Sequence, residues 1–162
     1  MSIKPKIYLD TSVISHLMAD DTPEKRDNTR KLWEQLKRGD WEVVVSPVVY
    51  EELGRCKEEL KKALLEYVVM IDTTYVEETE EMTALADEYL KTGVLRPKSY
   101  DDCRHIAIAS ISVCKYILSW NMNHFANVKT IEMVQAVNQR FGVYQPTILI
   151  PPIFVEGDDD NE

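Results

Sequence analysis

The chain has 162 residues, 44% of them hydrophobic and 29% charged, with a formal net charge of −9. That balance suits one ordinary globular domain, and no stretch approaches the roughly 18 to 20 consecutive apolar residues of a membrane span. The opening MSIKPKIYLD lacks the apolar segment of a signal peptide, so a cytoplasmic protein is expected. Cys56, Cys103 and Cys114 are odd in number and show no CxxC spacing, which argues against a disulfide framework or structural zinc.

Residues 6–9 read as a short buried strand ending in the polar turn Asp10-Thr11-Ser12, and VISHLM after it is apolar at helical spacing. Thr22-Pro23-Glu24 starts a helix over 22–38, with Leu32, Trp33 and Leu36 on one face and Gly39 as its stop. WEVVVS follows as a strand. Pro47 opens a helix through Leu53, Glu58 to Glu66 continues helical, and the apolar run YVVMI reads as another buried strand. From Val76 to Leu90 the residues Met82, Leu85, Ala86, Tyr89 and Leu90 recur at helical spacing until Gly93. A helix over Tyr100 to Val113, a strand YILS, a polar turn WNMNHF, a helix from Thr130 to Arg140 and a last apolar run TILIP complete the pattern. Alternating strands and helices predict an α/β fold, a three-layer α/β/α sandwich around a mainly parallel sheet. With no linker or repeat, residues 1–155 form one domain and 156–162 an acidic, unstructured tail.

The negative charge at first disfavours a nucleic-acid partner, because phosphate contacts need Lys and Arg. Much of it, however, sits in two runs expected to face solvent, Glu77, Glu78, Glu80 and Glu81, then Asp158, Asp159 and Asp160. Basic residues gather at Arg55, Lys57, Lys61 and Lys62, and again at Arg96, Lys98 and Arg104.

Ligands of open parallel sheets bind beyond the carboxyl ends of strands, and polar residues fall at those places here. Asp10 suits either a helix N-cap or a metal ligand. Glu52 in SPVVYEEL is either an exposed helix glutamate or a member of a site. Asp102 in DDCRHIAIAS shares a helix face with His105, Ile106 and Ala109, so it points where an apolar stripe points. His105 reads as a hydrogen-bonded core residue outside the catalytic set, although its place one turn from Asp102 permits it to support a ligand, and nothing supports a role for His16. Ser119-Trp120-Asn121 follows a strand and reads equally as a turn.

Together, YLDTSVIS, SPVVYEEL, DDCRHIAIAS and SWNMNHF resemble the PIN-domain family, the fold of VapC-type toxin ribonucleases, over nearly the whole chain. The DxxHIAIA and SWNxxH wording is closest to a bacterial and archaeal subgroup with histidines at these places. The resemblance implies a metal-dependent ribonuclease acting on phosphodiester bonds of single-stranded or structured RNA, the toxin of a type II toxin–antitoxin pair. It implies Mg²⁺ or Mn²⁺ held by Asp10, Glu52 and Asp102, with Glu52 chosen over Glu51 and Asp102 over Asp101 by register. Thr11, Ser12, Ser119, Asn121 and His124 would support the ligands or position phosphate. Asn121 stands in place of a fourth acid, and His124 where many relatives keep one. A cognate antitoxin and a homodimer are also implied, the latter with modest support from the apolar residues Val13, Leu17, Leu60 and Leu64. The alternative is a catalytically weak RNA-binding or regulatory module. A phosphatase on a similar sheet is disfavoured because Ser12 stands where a DxD motif needs its second Asp.

Overall fold

The structure is a computed structural model and describes residues 3–93, 100–121 and 128–159. Its first strand, β1 (Lys6–Leu9), lies in the middle of a 5-stranded, wholly parallel sheet of order β3-β2-β1-β4-β5. The others are β2 (Glu42–Val45), β3 (Thr73–Tyr75), β4 (Tyr116–Leu118) and β5 (Thr147–Leu149). A strand buried on both faces divides its side chains between two cores. Ile7 and Leu9 enter a cluster with Val13, Leu17, Leu32, Trp33 and Leu64, whereas Tyr8 enters the opposite one with Leu85, Tyr89, Ile106 and Val134.

The first core is covered by α1 (Thr11–Ser15), α2 (Pro23–Leu36), α4 (Glu58–Val68) and α8 (Pro151–Asp159), all carrying residues of that cluster. The second is covered by α5 (Glu80–Lys91), α6 (Tyr100–Ile111) and α7 (Val128–Arg140). Helix α3 (Pro47–Leu53) follows β2 and sends Val48 to one core and Val49 to the other. This is the three-layer α/β/α sandwich expected from the alternating pattern. Growth runs outward from β1 through β2 to β3, then returns to β4 on the other side. The strand order therefore reverses between β1 and β4, the place beyond whose carboxyl ends open parallel sheets bind their ligands.

Two segments differ from the sequence reading. YVVMI is not a strand: α4 continues to Val68, which is 5% exposed, while Val69 is 81% exposed. A short apolar run fits a helix end as well as a strand, and here helical spacing from Leu64 to Val68 decides it. The strand is instead Thr73–Tyr75, whose β-branched threonines suit an edge position beside β2. At the other end, the acidic tail expected from residue 156 is helical as far as Asp159. Two prolines are tolerated in the first turn of α8, Phe154 fills the core at 3% exposure, and the Asp158 carboxylate accepts from Gln35 and the Trp41 indole. Among the described residues no helix is long and apolar enough to cross a membrane. Val13, Leu17 and Leu64 are fully buried in the chain's own core, so they leave no apolar surface for a partner, and only Leu60 is partly exposed.

The boundary of α4 is testable by paired substitutions. Val69→Asp should change stability by less than about 0.5 kcal/mol, whereas Val68→Asp should cost more than about 3 kcal/mol by burying an unpaired charge. Urea denaturation checks this, and equal losses would restore the buried strand.

Candidate functional site

Asp10 follows β1 directly and occupies the N-cap position of α1, yet its side chain makes no cap hydrogen bond. Its Oδ2 instead accepts from Ser12 Oγ at 2.7 Å and Ser119 Oγ at 2.8 Å. Those hydroxyls are themselves fixed, since Ser12 Oγ accepts from the Trp120 backbone N–H at 3.0 Å and Ser119 Oγ from that of Asn121 at 2.9 Å. One strand pairing sets this up: Leu9 lies opposite Leu118, so Asp10 and Ser119 leave the sheet side by side. Asp10 is 4% exposed, and a carboxylate so buried needs such donors.

Glu52 arrives from α3. Its Oε1 accepts from Thr11 Oγ1 at 2.9 Å and lies 2.5 Å from His105 Nε2. His105 Nε2 also stands 3.4 Å from Asp10 Oδ1. Each carboxylate is thus anchored through one oxygen by two donors. Among the described residues, Glu52 Oε2 takes no hydrogen bond, and Asp10 Oδ1 has the imidazole as its one close partner.

Beneath the carboxylates the imidazole is fully buried, with Nδ1 2.5 Å from Tyr8 Oη, which lies 2.7 Å from Ser46 Oγ. Burial, partly offset by the Ser46 hydrogen bond, raises the Tyr8 pKa and keeps the phenol protonated. Burial alone would push His105 down. The hydrogen bond to Glu52 and the charges of Asp10, Glu52 and Asp102 outweigh it, and the net shift is above the ordinary 6.5. Burial likewise pushes Glu52 up, but His105 and Thr11 outweigh it and hold Glu52 below its ordinary 4.5. With both ring nitrogens protonated, Nδ1–H donates to Tyr8 and Tyr8 donates to Ser46; with a neutral ring, Tyr8 donates to Nδ1.

One ligand atom each from Asp10, Glu52 and His105 fall within 4.8 Å of one another, a spacing that suits a cation. Asp102 stands in the first turn of α6, one turn before His105, and its charge contributes to the upward shift of His105. It lies outside that tight trio. Of the expected residues, Asp10, Thr11, Ser12, Glu52 and Ser119 therefore come together directly. Asn121 contributes its backbone N–H, and His124 lies outside the described residues.

The site contains three residues that the sequence reading did not place in it, His105, Tyr8 and Ser46. Signals for two were present: His105 shares a helix face with Asp102, and Tyr8 sits two residues before Asp10, hence on the same side of β1. Ser46, at the N-cap position of α3, is marked in sequence only as the serine that leads SPVVYEEL.

Arg104, one of the locally gathered basic residues, is occupied by the chain's own acids. Its guanidinium donates to Glu51 at 2.8 Å, to Asp101 at 3.0 Å and to Glu78. Glu78 is therefore paired rather than simply solvated. Arg55 donates to Asp101 at 3.1 Å. This network ties α3 to α6 on the outer side of the helices that bring Glu52 to His105.

A family model described as PIN domain matches residues 7–129. No curated protein matches the chain in sequence. Among solved structures, the fold is similar to VapBC2 from Rickettsia felis bound to a DNA fragment from their promoter, with TM-score 0.57, 12% identity, and coverage of 90% of this chain and 98% of that one. It is similar to VapC20 from Mycobacterium tuberculosis, described as a sarcin–ricin loop cleaving toxin, with TM-score 0.57, 18% identity, and coverage of 74% and 93%. VapBC-1 from nontypeable Haemophilus influenzae gives 0.55, 17%, 91% and 98%. The family match runs from β1 across every segment that builds the carboxylate cluster, and the chain belongs to the PIN-domain family.

Proposed function

We propose that this chain is a metal-dependent endoribonuclease that hydrolyses phosphodiester bonds of RNA in the cytoplasm, as the toxin of a toxin–antitoxin pair. One observation carries the reading: beyond the carboxyl ends of β1 and β4, Asp10 and Glu52 are each anchored through one oxygen by two hydrogen-bond donors, and with His105 they bring three possible ligand atoms within 4.8 Å of one another. Acids serving only solubility would not be wholly or partly buried and fixed by paired donors in this way.

We assign Asp10, Glu52 and Asp102 as ligands of Mg²⁺ or Mn²⁺, hard ions that prefer carboxylate oxygen; Asp10 and Glu52 belong to the close trio, and Asp102 stands one helical turn before its third member, His105. When bound, such an ion supplies Lewis-acid stabilisation of the charge growing on the phosphoryl oxygens. The chain's own residues do the rest. Ser12 and Ser119 hold Asp10 in one rotamer, Thr11 and His105 hold Glu52, and Tyr8 with Ser46 fixes the imidazole ring. Because His105 Nε2 is engaged with Glu52, we assign it the positioning of that ligand rather than ligation. Asn121 and His124 are assigned to the phosphate.

Two of the structurally similar proteins are VapBC assemblies, which supports a cognate antitoxin as partner of this chain. We also propose a homodimer, which rests on family resemblance alone now that Val13, Leu17 and Leu64 lie in the core.

Cleavage of single-stranded RNA in Mg²⁺ or Mn²⁺, abolished by EDTA, is the direct test. Asp10→Asn and Glu52→Gln should each lower the rate at least about 100-fold. Glu51→Gln should leave it within about twofold and shift stability by less than about 1 kcal/mol, since its partner Arg104 keeps two other acids. Equal loss in the two glutamate variants would overturn the site, and full activity in folded Asp10→Asn would overturn the function.

The pKa shifts give a second test. Glu52, held low, contributes stability above its ordinary 4.5 that is lost as pH falls through its folded value. His105, held high, contributes stability that is complete below 6.5 and is lost as pH rises through its folded value. The Tm of metal-free protein should therefore fall on the alkaline side, above pH 6.5, and the stabilisation by Mn²⁺ should grow over the same range as the cation replaces the proton. His105→Gln should flatten both trends. A Mn²⁺ effect independent of pH in the unsubstituted protein would contradict this coupling.

A further inference from the structure

Beside Asp10 lies a partly exposed aromatic surface that the carboxylate chemistry does not use. Trp120 is partly exposed and held at two points. Its backbone N–H donates to Ser12 Oγ, the hydroxyl that also holds Asp10, and its indole N–H donates to Thr29 Oγ1 at 2.9 Å. The His16 ring stands 5.8 Å from the indole, with Nδ1 fixed 2.6 Å from the Ser12 carbonyl oxygen. A carbonyl only accepts, so Nδ1 carries the proton, and the ring is locked as a rigid side of the same surface. The exposed Lys25 ammonium lies 5.5 Å from the indole centroid. Among the described residues no carboxylate pairs with it, in contrast to Arg26, Arg55, Arg104 and Arg140.

The geometry points to a nucleotide-binding subsite formed by Trp120, His16 and Lys25, which stacks a base of single-stranded RNA next to the carboxylate pocket and pairs Lys25 with its phosphate. The proposal rests on the ribonuclease reading and adds where the strand lies. Every base has a π-face, so a fixed indole holds it without reading sequence, and the lysine over the ring gives way to the base and moves to the negative charge. Locking by Ser12 and Thr29 means that little side-chain freedom is lost on binding. It also couples the stacked base to Asp10 through one hydroxyl.

Binding of a fluorescein-labelled decamer of oligoadenylate in EDTA, where no cleavage occurs, tests this by anisotropy and tryptophan emission. Trp120→Leu should weaken binding about tenfold, the usual effect of losing one stacked base. Lys25→Ala should weaken it about threefold and make the slope of log Kd against log salt shallower by about 0.7, one phosphate contact on a single strand. The unsubstituted protein should show quenched emission with oligoadenylate and none with an abasic decamer, a comparison that stands even if Trp120→Leu does not fold. Wild-type binding in both folded variants, or equal quenching by the abasic strand, would overturn the subsite, as would a surface that serves a protein partner and leaves all RNA readouts unchanged. If the protein also cleaves RNA in an Asp10-dependent manner, those results remove the subsite alone. A protein that neither binds nor cleaves RNA loses both readings.

Discussion

The structure turns on a fully buried imidazole held between two carboxylates. Asp10 is withdrawn from water and Glu52 partly so, and a buried ionised carboxylate left alone costs several kcal/mol. His105, 2.5 Å from Glu52 and 3.4 Å from Asp10, compensates both when protonated, the form that their charges favour. The consequence spreads outward. Helix α6 must run close enough to β1 for residue 105 to reach beneath the acids, and α3 must be held against α6. Its own base, Tyr8 and Ser46, must tolerate either protonation state, which two hydroxyls can do because each donates and accepts.

The two acidic doublets divide the work between the inside and outside of the same helices. Glu52 faces the imidazole while its neighbour Glu51 faces Arg104. Asp101 faces Arg104 and Arg55, while Asp102 acts on His105. Successive helical residues point about 100° apart, so a doublet serves two faces. Arg104 has three acidic partners and is mostly enclosed, with 15% of its side chain exposed. Such a network is better understood as a brace between α3 and α6 than as a phosphate contact.

This division explains which parts of the site were legible in sequence. Acids at strand ends and a polar Ser-Trp-Asn turn leave a local signature, so Asp10, Glu52 and Ser119 could be named and the register between Glu51 and Glu52 chosen. The β/α alternation likewise gave the layers, because period two and period 3.6 are local properties. What depends on packing was less visible. A histidine on an apolar helix face looks like core from sequence, and His105 is indeed fully buried; only the position of Glu52, 53 residues away, makes it part of the site. The apolar YVVMI carried no period long enough to separate strand from helix end. Helix α8 begins with two prolines and contains Gly157, so it depends on Phe154 and on Asp158 meeting Gln35 and Trp41.

For a chain of net charge −9, the proposed RNA substrate poses an electrostatic problem that must be solved locally, because the overall field repels the strand. Several cations are already spent: Arg26, Arg55, Arg104 and Arg140 pair with the chain's own acids. Long-range steering by a basic face is therefore a poor description of how this protein would hold its substrate. Short-range attraction fits the proposal better: a divalent ion held by the carboxylates would invert the local sign, and stacking would need no charge. Both depend on Ser12. Its hydroxyl donates to Asp10 on one side and accepts from the Trp120 backbone on the other, so the residue that orients the proposed metal ligand also fixes the start of the aromatic surface.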